Sequence, residues 1–532
     1  MSRERRLPVW FLALALLALM LTVAGCPEKI PNEETTEPDV TAPPAAQLFA
    51  AEASATQVNL TWDVIDKADL TDENSPFYEG DSSTKFVDWD DLAGVMLVRW
   101  DGLEPDYYPL RGDRYAVGDK FGSGVVVAVL PKNAEQFTDE GITAGETYFY
   151  EAFVFDKTPN YAQPAQLNTT PGSLVQGRLA HTQTNLSDGR VLLCGGLGSS
   201  GPLDTAEIFD PETNSFRLLS SHLITKRFSH TATLLADGRV LIVGGYKGAF
   251  EQTLATAEIF DPADESFTRV KSELAIGVAT QTATLLPDGR VFIAGGSDGV
   301  DAVNQLAVFD PATFTFTTLP GQLPHPRYGH QTVVNGDMIY VLGGFDGART
   351  LKFVAAIHLP SFAVTDLRGN AGESEDMLVG RVDHTASEIA DGLWLIAGGT
   401  QGSLSAAQPV SSCEIFDPTT APFFAATGSL DQARSGHTAV VLNDGTVLVA
   451  GGVGENLAIL DSAEIFDPTS GVFLPTGDMR LPRTVHGASL LPDGRVLITG
   501  GNQSADLFLP DPASTAEIYD PLTGRFTVVG GQ

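Results

Sequence analysis

From about residue 178 to the C-terminus, short apolar runs and tight polar breaks follow one another in an order that recurs. The clearest copy spans residues 230–267. Residues 230–235 (HTATLL) alternate polar and apolar side chains, the pattern of a strand with one buried face. Asp237-Gly238 supplies a hairpin turn, and residues 239–243 (RVLIV) form a nearly continuous apolar run that stops at Gly244-Gly245. A third run, residues 257–260 (AEIF), ends at Asp261-Pro262, where the proline cannot continue a ladder, and a fourth begins near Phe267. The unit appears seven times, with its glycine pairs at Gly195/Gly196, Gly244/Gly245, Gly295/Gly296, Gly343/Gly344, Gly398/Gly399, Gly451/Gly452 and Gly500/Gly501. Successive spacings are 49, 51, 48, 55, 53 and 49 residues.

Four strands this short cannot bury an apolar face alone, so the units must stack on one another. A period near 50 made of strands predicts a β-propeller with seven blades. In each blade the loops from second to third strand share one face with the linkers into the next blade. The other face is made of short Asp-Gly and Asp-Pro turns. Length varies on the first face, in residues 246–254, 400–412, 502–514 and the linker 367–380 with Glu373, Glu375 and Asp376. Variable loops on a rigid scaffold are where binding sites are built, so this face is the expected binding face.

The units resemble kelch repeats of the kind also found in the central domain of galactose oxidase. The marks are the glycine pair and the aromatic-Asp-Pro element at Phe209-Asp210-Pro211, Phe260-Asp261-Pro262, Phe309-Asp310-Pro311, Phe416-Asp417-Pro418, Phe466-Asp467-Pro468 and Tyr519-Asp520-Pro521; the fourth unit departs with His358-Leu359-Pro360. The expected fold class is all-β: a seven-bladed kelch β-propeller over residues 171–532, preceded by a β-sandwich over residues 45–170. In that earlier region, residues 58–62, 95–100 and 125–130 read as strands, and residues 141–154 as a turn and a long alternating strand. Leu60, Trp62, Ile142, Gly145 and Tyr148 resemble the marks of a fibronectin type III domain. A departure from it is the acid-rich insertion bounded by Asp63 and Asp91, a candidate Ca²⁺ loop that lacks the spacing of a compact calcium motif and also reads as a solvated loop.

Arg3, Arg5 and Arg6 precede an apolar run over residues 7–24, and Val23-Ala24-Gly25-Cys26 closes it. This resembles a bacterial lipoprotein signal. The resemblance implies cleavage after residue 25, acylation of Cys26, a lipid bilayer as partner, and residence in the cell envelope, by the sorting pattern at the outer membrane. An uncleaved spanning helix is the other reading, since the run has 18 residues. Residues 26–44 are acidic and proline-rich, as in an extended tether. The formal net charge of −35 disfavours nucleic acid as a partner. Cys194 and Cys413, in blades far apart, are expected as buried free thiols.

At the start of each first strand an Arg and a His recur three apart: Arg178/His181, Arg227/His230, Arg327/His330, Arg381/His384, Arg434/His437 and Arg483/His486, with Val278 and Gln281 in the third unit. Six histidines around one mouth of a channel would suit a metal or an anion. Repetition in blade after blade favours a structural role, with each Arg answering Glu207, Glu258, Glu414, Glu464 or Glu517 of the third strand. The kelch resemblance implies, for an enzyme, a copper held by two Tyr and two His; Tyr246, Tyr328, Tyr340 and Tyr519 match none of that family's ligand elements. The repeats contain no zinc, nucleophile-elbow or phosphate-loop motif. The expectation is a non-catalytic binding or scaffold protein that takes a protein or glycan ligand and needs no cofactor. The alternative is an extracytoplasmic enzyme of carbohydrate-active or copper-oxidase type.

Overall fold

The computed structural model describes parts of residues 50–169 and nearly all of residues 173–529, omitting 249–251, 368–375, 404 and 505–510. The Cys26 region, Trp62, Gly145, Glu373, Glu375 and the whole insertion from Asp63 to Asp91 lie outside the described residues. The chain divides into two compact units, one built on the N-terminal strands and one on the repeats.

In the N-terminal unit, Ala50–Ala53, Val58–Thr61 and Gln136–Asp139 form a three-stranded sheet. A five-stranded sheet runs in the order Lys120–Phe121, Gly124–Pro131, Leu92–Asp101, Tyr148–Asp156 and Ala165–Thr169. Val58 and Leu60 pack against Val95, Leu97, Tyr148 and Tyr150, so the two sheets share a core. The opposite face of the central strand is also buried, with Met96, Val98 and Trp100 in a second cluster with Val126 and Phe153. Gly124 follows from this packing, because a Cβ there would lie 2.6 Å from the Trp100 ring. Ala165–Thr169 pairs with Tyr148–Ala152 at the edge of the five-stranded sheet.

The repeats form seven four-stranded antiparallel sheets, each ordered by strand succession. The second strands are buried at every position, as in Val191–Cys194, Val240–Val243 and Val496–Thr499, except that Met338 and Leu393 at the start of two of them are partly exposed. Their near-continuous apolar character has a direct cause: each sheet is covered on both faces. Val240 and Ile242 pack with Leu192 and Ile208 of the sheet before, while Leu241 and Val243 pack with Val291 and Ile293 of the sheet after. The same sharing links later sheets through Phe292 with Ile339, Leu395 with Val447, and Leu448 with Ile498.

The first strands are innermost, and the last of them, Gly487–Leu490, lies beside the first, Thr182–Asn185. Asn185 Nδ2 donates to Leu490 O at 2.7 Å, Gln183 Nε2 to Leu497 O at 3.2 Å, and the Gly501 N–H to Arg178 O at 2.9 Å. Packing of the last sheet on the first therefore closes the ring.

On the short-turn face, Asp261 Oδ1 accepts the Ala263 N–H at 3.0 Å, and the same bond recurs at Asp310, Asp417, Asp467 and Asp520. Turn side chains also link sheets: Arg190 reaches Glu265 at 2.9 Å, and Arg239 lies 4.8 Å from the ring centre of Phe314. Cys194 and Cys413 are buried free thiols, and burial pushes them up to about 12 and about 11.

Candidate binding face

The loops between second and third strands carry small ribbons of their own. Leu197–Gly198 pairs with Gly201–Pro202, and Thr400–Gln401 with Gln408–Pro409. Elsewhere single bridges do the same, as at Tyr246 with Thr253 and Val453 with Ile459. Loops of neighbouring sheets also join: Arg349 bridges Ser403, and the Thr350 N–H donates to Gly402 O at 3.0 Å. The variable face is thus held by backbone bonds as well as by the sheets beneath it.

Every recurrent Arg is fully buried. Arg178, Arg227, Arg381, Arg434 and Arg483 place Nη2 2.6 to 2.9 Å from Glu207, Glu258, Glu414, Glu464 and Glu517, the five acids expected from the sequence. Nη1 of the same Arg donates to the carbonyl of the first glycine of the pair, as at Gly244 (2.7 Å). The carboxylate also accepts two N–H groups of the incoming linker, Ile224 at 2.7 Å and Thr225 at 3.0 Å in the second sheet. One ion pair therefore ties together linker, glycine turn and third strand, and its burial demands those extra bonds. In the third sheet Val278 stands in place of the Arg, and Ala307 stands at the acid's register position; both are buried in one cluster. In the fourth, Ala355 holds that position and Arg327 Nη1 donates to Gly343 O (2.8 Å) and Phe353 O (2.9 Å).

The histidines sit in the junctions between sheets. His181 is partly exposed and the other five are buried. His230 Nε2 lies 3.0 Å from Thr182 Oγ1, His330 from Thr282 Oγ1 at 3.0 Å, His437 from Thr385 Oγ1 at 3.1 Å, His486 from Thr438 Oγ1 at 2.9 Å, and His181 from Thr499 Oγ1 at 3.0 Å. Where Gln331 replaces the threonine, its Nε2 donates to His384 O at 2.9 Å. The ring of each histidine also lies against the glycine pair of the preceding sheet. A Cβ on Gly195 would be 2.9 Å from His230 Cε1 and 2.6 Å from Arg227 O, and φ there is +58°, so glycine is required twice over. Burial, aided by the neighbouring guanidinium, pushes His330 and His437 down to about 3 and holds His181, His230, His384 and His486 well below 6.5. Five of these neutral imidazoles are hydrogen-bonded links between blades, whereas both ring nitrogens of His384 are enclosed without a partner among the described residues. Among the described residues no three His, Cys, Asp or Glu side chains converge as metal ligands.

Asp376 is buried, with its carboxylate 3.6 Å from Lys352 Nζ, and is not an open surface acid.

A feature not read from the sequence lies between each Arg and His. Ala180, Ser229, Thr280, Gly329, Asp383, Gly436 and Val485 all have positive φ. Each N–H donates to the carbonyl of the residue before it in this series, and the Ala180 N–H donates to Val485 O at 3.1 Å, which closes a ring of seven backbone bonds. All seven residues are partly exposed. Only Asp383 is ionisable. Its Oδ2 is enclosed with no hydrogen-bond partner among the described residues, as is the Tyr328 hydroxyl. Burial raises the Asp383 carboxyl well above the usual range, and the Asp383 charge, after burial, contributes to raising the Tyr328 phenol. The signal was present in the column of residues preceding His or Gln, A-S-T-G-D-G-V, where one acid interrupts small or apolar neighbours.

A profile of the KLHDC2/KLHL20/DRC7 Kelch-repeats domain matches residues 280–501, and a Kelch motif profile matches residues 180–222 and 227–272. The chain is 25% identical over 167 residues to Spermatocyte protein spe-26 of Caenorhabditis elegans, covering 31% of this chain and 26% of that protein. It is 44% identical over 71 residues to Adagio-like protein 3 of Oryza sativa subsp. japonica, covering 12% of this chain and 11% of that protein. The chain thus spans about a quarter or less of the length of these relatives. Among solved structures, a novel fungal alcohol oxidase of the AA5 family in complex with copper superposes with a TM-score of 0.51 at 18% identity, covering 64% of this chain and 73% of that one; the likeness is one of fold. Among the described residues no helix is long and apolar enough to cross a membrane. The seven four-stranded sheets, their glycine pairs and the two profile matches together identify the repeats as a kelch-repeat β-propeller domain.

Proposed function

We propose that this protein is a non-catalytic binding scaffold, anchored by an acylated Cys26 in a bacterial cell envelope, which recognises a protein or glycan through the variable loop face. The observation carrying this reading is the asymmetry between faces: Asp-Pro turns repeat one bond pattern on one face, while the other carries loops of differing length braced by ribbons. A scaffold whose histidines and arginines are consumed in blade junctions leaves recognition to those loops. The fungal structure of like fold is described as a copper-bound alcohol oxidase. Here His330 Nε2 is engaged by Thr282 and no convergent ligand group is present among the described residues, which favours the binding reading.

The test is a pull-down from envelope extracts. The wild type is expected to retain a partner that is lost when residues 403–407 are replaced by a two-residue turn, and kept when Thr469 and Ser470 on the opposite face become alanine. Loss with the second variant and not the first would reverse the assignment of faces. The anchor has its own test. Cys26→Ser is expected to abolish labelling by radioactive palmitate and release the protein from membranes, whereas unchanged membrane retention would point to an uncleaved helix.

A further inference from the structure

The strongest unexplained chemistry in the described residues is the Asp383 carboxylate. Other buried carboxylates of the blades, Glu207, Glu258, Glu414, Glu464 and Glu517, are each matched by an Arg and backbone N–H groups. Among the described residues Asp383 has no ion pair and no side-chain hydrogen bond, although its Oδ2 is shut away from solvent. A charged oxygen buried without a partner is unfavourable by several kcal/mol, and a native fold that keeps one calls for a reason, of which a bound ligand is one.

Position narrows the choice of ligand. The carboxylate lies over the Cα of Gly329, the preceding member of the ring, where a Cβ would come within 2.6 Å of Asp383 Oδ1. The next member, Gly436, also has no side chain, so the acid stands between two residues that leave the ring open. Tyr328 precedes Gly329 in the chain; its hydroxyl is also enclosed without a partner among the described residues, its phenol feels the Asp383 charge, and its ring packs at 5.7 Å on Phe345. A hard metal would need four or more ligands and this set offers one carboxylate. An ammonium or guanidinium group needs one carboxylate, a hydroxyl acceptor and aromatic neighbours. The net charge of −35 would also steer a cationic partner toward the protein.

We propose that Asp383 in the axial ring anchors a lysine or arginine side chain presented by the partner protein, with the Tyr328 hydroxyl as second acceptor. This deepens the binding reading of the loop face and rests on it. The two can fail separately, since a partner held by residues 403–407 could still be captured while the axial ring binds no cation.

The test is titration calorimetry on the full chain with N-acetyl-lysine amide, N-acetyl-arginine amide, the neutral N-acetyl-norleucine amide, and calcium chloride. Both cationic amides are expected to bind and the neutral amide to stay silent. Asp383→Asn should weaken binding at least about tenfold, which corresponds to about 1.4 kcal/mol. Tyr328→Phe, which keeps the ring packing, should weaken it a few-fold. Without ligand, Asp383→Asn should melt at the same temperature as the wild type or higher, because an unpaired buried charge has been removed. Equal binding by Asp383→Asn and wild type, no binding of either cationic amide, or heat only from calcium would overturn the proposal. A lower melting temperature or failure to fold in Asp383→Asn would do so too, because it would show that the carboxylate serves the fold.

Discussion

Replacing Glu258 by alanine is expected to destabilise the propeller by about 3 to 5 kcal/mol, the range for leaving one member of a buried ion pair without the other. The carboxylate is almost fully buried and takes three bonds, from Arg227 Nη2 at 2.6 Å, the Thr225 N–H at 3.0 Å and the Ile224 N–H at 2.7 Å. Arg227 would keep neutral acceptors, Gly244 O at 2.7 Å, Thr225 O at 3.2 Å, Thr256 O at 3.3 Å and Thr256 Oγ1 at 3.4 Å, and remain a buried cation. The third sheet shows how the same place can be filled without charge, by Val278 and Ala307 in one apolar cluster. The double variant Arg227→Val with Glu258→Ala is therefore expected to recover about 1 to 3 kcal/mol relative to Glu258→Ala alone. Chemical denaturation of the wild type, both single variants and the double variant measures this coupling. A double variant no more stable than Glu258→Ala would show that the pair's bonds to linker and glycine turn outweigh the desolvation of its charges.

Acidification should unfold the propeller well above the pH at which exposed carboxylates titrate. Six imidazoles have folded values below the unfolded value of about 6.5, two of them at about 3. Between those limits the unfolded chain binds more protons, so stability rises with pH there. It is fully present above about pH 6.5 and is lost as pH falls, by about 1.4 kcal/mol per pH unit for each histidine. Six acting together far exceed the opposite contribution of Asp383, whose raised carboxyl favours the folded state on acidification. Melting temperatures followed from pH 8 to pH 4 should fall steeply below about 6. The third sheet supplies the control: Gln281 replaces the histidine and donates to Val243 O at 2.9 Å and Thr231 Oγ1 at 3.3 Å. His330→Gln should accordingly reduce proton uptake on acid unfolding by about one. A stability that stays level down to pH 4.5, or a pH slope unchanged in His330→Gln, would remove the buried imidazoles as the cause.

Repetition made much of the scaffold legible. The demand that Gly195 admit the His230 ring and the Arg227 carbonyl is met again at Gly398 by His437 and Arg434, so the same letters return about every 50 residues. The Arg-to-Glu pairing could be read for the same reason, and the departures at Val278 and Ala355 stand out against it. In the N-terminal unit nothing repeats. β-rich composition located residues 95–100 of the strand at Leu92–Asp101, but its burial on both faces depends on Val126 and Phe153, which no local pattern ties to it. Ala165–Thr169 reads as a plain polar-apolar stretch, and only its partner Tyr148–Ala152 decides which sheet it joins.

The sequence by itself determined the number of repeating units, the order of strands within them, the two kinds of face and the residues that staple each sheet, because each of these is a local requirement met again in unit after unit. Tertiary structure alone decided that the histidines are spent between blades and that Asp383 stands in a closed ring of backbone bonds. The ring exists only when all seven units meet around one axis, so each of its bonds joins residues about 50 positions apart, and Ala180 to Val485 across almost the whole propeller. An acid that looks like one variant among seven short linkers becomes, once that ring has closed, a carboxylate with one oxygen enclosed and without a partner among the described residues.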